Sequence, residues 1–143
     1  MAMKKFVSIL VLTLALFGAD DGYLLGLKAY YDQNSSNDTQ AITLLSQAAT
    51  EQKNADAAFL LGVAYSEGNL VPKDLQKALY WYELAANLGD KDAMLVVGWY
   101  YYKGEAVEQN LEKAKEWFEK AAKLGDTEAM EMAQFIEEMM AGY

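Results

Sequence analysis

The chain repeats itself at an interval of 36 residues, and that interval decides most of what it can fold into. ADAAFLLGVAYSEGNLVPKDLQKALYWYELAANLGD at positions 55–90 aligns without a gap on KDAMLVVGWYYYKGEAVEQNLEKAKEWFEKAAKLGD at 91–126. Gly62 falls on Gly98, Tyr65 on Tyr101, Gly68 on Gly104, Val71 on Val107 and Lys77 on Lys113. Ala78, Trp81, Ala85, Ala86 and Gly89 fall on Ala114, Trp117, Ala121, Ala122 and Gly125. The pattern decays outward. YLLGLKAYYD (23–32) and AITLLSQAA (41–49) echo the two halves of a unit. Asp126, Ala129 and Met130 echo Asp90, Ala93 and Met94 before Gln134 takes the glycine's place. A period of this length marks stacked supersecondary units, each too small to bury its own apolar face.

Each unit reads as two helices. Asn54, Asp90 and Asp126 share one phase and suit N-caps, because a side-chain oxygen there accepts an orphan backbone N–H. Gly68 and Gly104 end the first helix, where a left-handed residue is favoured. Asp74 and Asn110 cap the second helix, and Gly89 and Gly125 end it. Apolar residues recur at three and four within these spans, as in Ala58, Leu61 and Tyr65, or Ala78, Trp81, Tyr82 and Ala85. Gly62 and Gly98 lie mid-helix, where glycine costs ~1 kcal/mol against alanine. That recurring weakness predicts a close approach of the partner helix, with Trp81 and Trp117 lying across the gap. The segment 127–141 adds a last helix, expected to turn Met130, Ala133 and Met140 among acidic residues as a terminal cap, or as an adaptable methionine-rich binding face.

The pattern A-x4-L-G-x2-Y-x2-G-x2-V followed by K-A-x2-W-Y/F-x2-A-A-x2-G resembles the Sel1-like repeat, a relative of the tetratricopeptide repeat. The resemblance is strong from Ala55 to Met130. It is degenerate in the first unit, where Tyr30 sits one place late and an Asn/Ser-rich stretch replaces G-x2-V. It implies an all-α fold, an α/α superhelical solenoid of helix hairpins: a degenerate first repeat at 20–54, repeats at 55–90 and 91–126, and a C-terminal capping helix at 127–143. It also implies a surface that binds proteins or peptides, usually without catalysis.

Composition removes most alternatives. Of 143 residues 53% are apolar, enough to build a core. Histidine and cysteine are absent and the 12 basic residues are all lysine. A chain without Cys or His has no ordinary zinc, haem or copper site, no thiol nucleophile and no Ser-His-Asp triad, so no cofactor is expected. A net charge of −9 without arginine also argues against nucleic acid as a partner.

The first nineteen residues differ from the rest. Lys4 and Lys5 precede an apolar run from Phe6 to Phe17, too short for a bilayer span and matching a secretory signal. Gly18 and Ala19 supply small residues at the expected cut, although Phe17 or Leu16 stands where a small residue is preferred. An uncleaved anchor and a buried first helix are the alternatives. Signal function at 1–19 predicts an exported protein, periplasmic or secreted, with no membrane span after signal removal. It would be held together by packing alone in an oxidising compartment.

First helices of such pairs line the concave side of the array. Beside the glycine contact this face carries Tyr23 and Leu27, then Phe59 and Val63, then Leu95, Trp99 and Tyr102. Tyr101 occupies the repeat's own tyrosine phase, whereas Trp99 and Tyr102 replace Val63 and Ser66 and are additional. Aromatics beyond structural need are what interface anchors look like; inter-repeat packing is the competing account. The candidate partner-binding residues are therefore Tyr23, Phe59, Val63, Leu95, Trp99 and Tyr102. The acidic surroundings favour a basic protein or peptide.

Three further readings are weaker. DQNSSND at 32–38 has the opening of a calcium loop but lacks glycine at the sixth place and glutamate at the twelfth. Asn34-Ser35-Ser36 and Asn37-Asp38-Thr39 are glycosylation triplets, with Asn34 the better placed, although a polar loop explains them equally well. The acids mostly form solvated helix faces, with Glu116–Lys120 and Glu119–Lys123 spaced to pair, and no two of them stand out as a glycosidase pair. The resemblance also carries an enzyme alternative, because some cysteine-rich Sel1-like proteins carry a β-lactamase attribution. The chain lacks their cysteines and has no Ser-x-x-Lys; Thr50-Glu51-Gln52-Lys53 is the nearest spacing. The expectation is a non-enzymatic scaffold or adaptor.

Overall fold

A computed structural model describes residues 22–32 and 38–142. Among the described residues there are seven helices and no strand: α1 (Gly22–Tyr31), α2 (Asp38–Thr50), α3 (Ala55–Glu67), α4 (Leu75–Asn87), α5 (Lys91–Lys103), α6 (Leu111–Lys123) and α7 (Thr127–Met140). Each packs chiefly on its neighbours in sequence. The result is an all-α solenoid of stacked hairpins. None of these helices is long and apolar enough to cross a membrane. The expected signal at 1–19 and Asn34 lie outside the described residues.

The caps stand where the repeat put them. Asn54, Asp90 and Asp126 accept from the amides of Ala57, Ala93 and Ala129 at 3.0, 2.6 and 2.8 Å. Asp74 accepts from the amides of Gln76 and Lys77, and Asn110 from that of Lys113. Gly68 and Gly104 close α3 and α5 in the left-handed region, both at φ 72°. The chain then crosses to the second helix through another left-handed residue, Leu70 at φ 67° and Ala106 at φ 63°, a conformation that side chains disfavour. The two hairpins are fastened alike. The Asp74 amide donates to the Tyr65 carbonyl and the Asn110 amide to the Tyr101 carbonyl, each at 2.9 Å.

Close approach of the helices shapes the core. Buried alanines such as Ala57, Ala58, Ala78 and Ala85 let backbones come together, and Leu45, Leu61, Val97, Phe118 and Ile136 fill the remaining space. The mid-helix glycines mark the tightest points. A Cβ on Gly62 would sit 2.6 Å from the Tyr82 ring, and one on Gly98 would sit 2.6 Å from the Phe118 ring. The residues across the gap are thus Tyr82 and Phe118, not Trp81 and Trp117. One residue turns a helix by 100°, which carries the indoles to the flank, where they stay half-buried. There Trp117 lies under the Lys120 ammonium at 4.0 Å. In the first unit Gly26 meets Leu45, whose Cγ would be 2.9 Å from an added Cβ.

α7 buries Ala129, Ala133 and Ile136 and leaves Met130 and Met140 exposed among its acidic residues. One expectation changes here: the acids of α6 do not pair with Lys120 and Lys123, and Lys115 instead reaches Glu119 at 3.6 Å and Glu137 of α7 at 3.3 Å.

Candidate functional site

The six candidate residues sit on the first helices of the hairpins: Tyr23 on α1, Phe59 and Val63 on α3, and Leu95, Trp99 and Tyr102 on α5. All six are half-buried and packed against the core, with one edge in solvent. The structure gathers them into local groups. Phe59 meets the Tyr82 ring edge-to-face at 5.3 Å. Trp99 meets Phe118 and Tyr102 edge-to-face, each at 5.5 Å. Both groups roof a glycine notch, and such aromatic pairs add ~0.5–1.5 kcal/mol beyond the area they bury.

The two roofs use opposite ends of one helical turn. In α3 the ring comes from Phe59 and the aliphatic from Val63. In α5 the aliphatic is Leu95 and the ring is Trp99. Below them the polar pair Ser66 Oγ and Tyr82 OH, 3.2 Å apart, gives way to the rings of Tyr102 and Phe118. Trp99 is therefore partly a packing residue, and it and Tyr102 each keep an edge in solvent.

Two polar neighbours of Trp99 were not anticipated from the sequence. Its indole Nε1 donates to Glu128 Oε1 at 3.0 Å, and the Lys103 ammonium lies 5.4 Å from its ring. Glu128 lies two places after a cap, as Asp92 and Asp56 do, so one carboxylate recurs in the first turn of α3, α5 and α7. That signal was present in the repeat. Each of the three also complements the positive end of its helix dipole. The structural tyrosines lie deeper. Burial and the neighbouring Tyr82 push the Tyr100 hydroxyl up to about 12. Burial and the Glu83 carboxylate, which accepts from it at 2.7 Å, push Tyr101 up to about 12.

Among the described residues, no group of three or more acids could hold a metal ion. Thr50 and Lys53 are exposed, and the Thr50 hydroxyl donates to the Ser46 carbonyl of its own helix. The hydrolase alternative gains no support. Two shallow hollows, of about 230 and 540 Å³, lie on α1–α2 and along α7, and none of the six candidates lines either.

The Sel1 repeat family model matches residues 23–52, 55–90 and 91–126. The chain belongs to the Sel1 repeat family. Solved structures agree with this. A Sel1 repeat protein from Oxalobacter formigenes is 34% identical, with a TM-score of 0.70, over 89% of this chain and 97% of that one. Helicobacter pylori cysteine rich protein B is 35% identical, with a TM-score of 0.61, over 66% and 70%. A protective antigen of uropathogenic Escherichia coli is 29% identical, with a TM-score of 0.68, over 83% of this chain and 26% of that one. No curated protein matches. Sel1 repeats generally serve as modules for protein–protein interaction.

Proposed function

We propose that this Sel1 repeat protein is an exported adaptor that binds a protein or peptide partner on its concave face, at the cell envelope or outside the cell. The observation that carries the reading is the pair Trp99 and Tyr102. They stand side by side with solvent edges, at positions that the preceding repeat fills with Val63 and Ser66. Export rests on the signal pattern at 1–19. A basic partner is favoured by the exposed carboxylates Asp56 on α3, Asp92 on α5 and Glu128 on α7, in a chain of net charge −9. Leu95 adjoins the aromatic pair, and Tyr23, Phe59 and Val63 extend the face along the array.

The chain supplies its own control. Leu95→Phe, Trp99→Val and Tyr102→Ser together give α5 the surface of α3 while keeping a ring over Phe118. Crosslinking in the native envelope should capture a partner with the wild-type chain and lose it with the triple variant, which should remain folded with a helical spectrum like the wild type's. Equal capture by both chains removes the aromatic face from the mechanism.

A further inference from the structure

We propose that the outer face of α7 is a second docking site, which receives an amphipathic helix of a partner protein with lysines or arginines beside its apolar stripe. The repeat register defines the face. Met130, Glu131, Gln134, Phe135 and Glu138 stand where α5 carries Met94, Leu95, Gly98, Trp99 and Tyr102. On α5 that face is covered by α6: Gly98 and Trp99 lie against Phe118, and Met94 is 8% exposed. On α3 it is covered by α4 through Tyr82. On α7 no described residue takes that place, and Met130 and Phe135 are 56% and 47% exposed. An open hollow lined by Ala133, Gln134, Glu137, Glu138 and Ala141 runs along the same helix. The molecule thus presents a third copy of a surface that twice takes a thirteen-residue helix.

Charge selects the occupant. α7 carries Glu128, Glu131, Glu137 and Glu138 and no basic residue. The neighbouring Lys115 is engaged with Glu137 and Glu119. A second copy docked through this face would set Glu131 and Glu138 against their own counterparts, a like-charge contact that opposes self-association. A helix with flanking cations meets the same residues favourably, with Met130 and Phe135 as its apolar anchors. Gln134, bonded to Glu138 at 3.0 Å, fills the place of the glycine notch. The incoming helix therefore needs a small residue where α6 has Phe118.

A stapled peptide copying residues 111–123, with Phe118→Ala, Glu112→Gln, Glu116→Gln and Glu119→Gln, is the probe. Fluorescence anisotropy with the full chain should show saturable binding that weakens with salt. Met130→Glu with Phe135→Glu should weaken it by about tenfold or more at unchanged melting temperature, since both side chains are exposed. Glu131→Lys with Glu138→Lys should do the same. Absent binding, or binding indifferent to both pairs, overturns the proposal. So does a dimer in sedimentation that Met130→Glu dissolves, because the occupant is then a second copy. None of these substitutions touches the aromatic pair on α5, so failure here leaves that reading standing.

Discussion

The second and third hairpins have the same backbone and different roofs. Over the notch at Gly62 the ring is Phe59, over that at Gly98 it is Trp99, and the aliphatic partner changes ends accordingly. Beneath, a hydroxyl pair is exchanged for a cluster of rings. What is kept is an aromatic ring set edge-to-face on the residue that fills the notch, not the residue at any one place. An aromatic that looks superfluous in the alignment, such as Trp99, is thus partly compensation for Leu95. The part that packing does not use is the solvent edge beside Tyr102, where the proposed partner would bind.

Four measurements would break or sharpen this comparison. Phe118→Ala should give the largest loss, about 3–5 kcal/mol in denaturant unfolding, because a fully buried ring leaves a cavity that its roof cannot fill. Tyr82→Ala should exceed Trp81→Ala in the same assay; the reverse order would return the indole to the gap. Gly98→Ala follows, at about 1–3 kcal/mol, since an enclosed ring has nowhere to yield. The first hairpin provides the contrast. There the added methyl meets the buried Leu45 at its Cγ, 2.9 Å, and its backbone nitrogen, 3.1 Å, a shallower overlap than the 2.6 Å at Phe118, so Gly26→Ala should be milder. Equal losses at Gly26 and Gly98 would deny the rings their special place.

Third, Leu95→Phe and Trp99→Val should each destabilise and together partly restore stability, with a coupling of about 1 kcal/mol. Strict additivity would mean that the two roofs are unrelated. The smallest effect concerns alkali. Tyr100 and Tyr101 are held neutral up to about 12, above the ordinary value of 10.0. Their contribution is whole below pH 10, where the unfolded tyrosines are also neutral, and declines as pH rises from 10 towards 12. Melting temperature should fall across that window, and less so in Tyr101→Phe. A flat profile would remove the burial invoked for both hydroxyls.

Much of the fold could be read from the residues because the repeat samples each position more than once. Three caps in phase and two left-handed glycines set the starts of α3, α5 and α7 and the ends of α3 and α5. Choosing the notch-filling ring was harder, since both second helices place two aromatics in succession, Trp81-Tyr82 and Trp117-Phe118. A glycine tells that something comes close; it does not tell which of two neighbours 100° apart. Tyr30 was out of step for a similar reason. It is buried, accepts from Asn69 Nδ2 at 3.3 Å, and belongs to the register of Ser66 and not of Tyr65. Glu128 keeps the phase of Asp56 and Asp92, but its bond to the indole could not be read from periodicity because Val63 offers no donor at the place of Trp99, and the exposure of Met130 could not because the pattern lapses where Gln134 replaces the glycine.

The fastening of each hairpin by one amide, from Asp74 to Tyr65 and from Asn110 to Tyr101, has a mechanical consequence. Among the described residues contacts reach mainly to the next helix, so no distant strand or crossover locks α1 to α7. Pulled from its termini, such a chain should yield hairpin by hairpin in a staircase of small steps and rewind in the same order. It would behave as a spring between whatever it tethers.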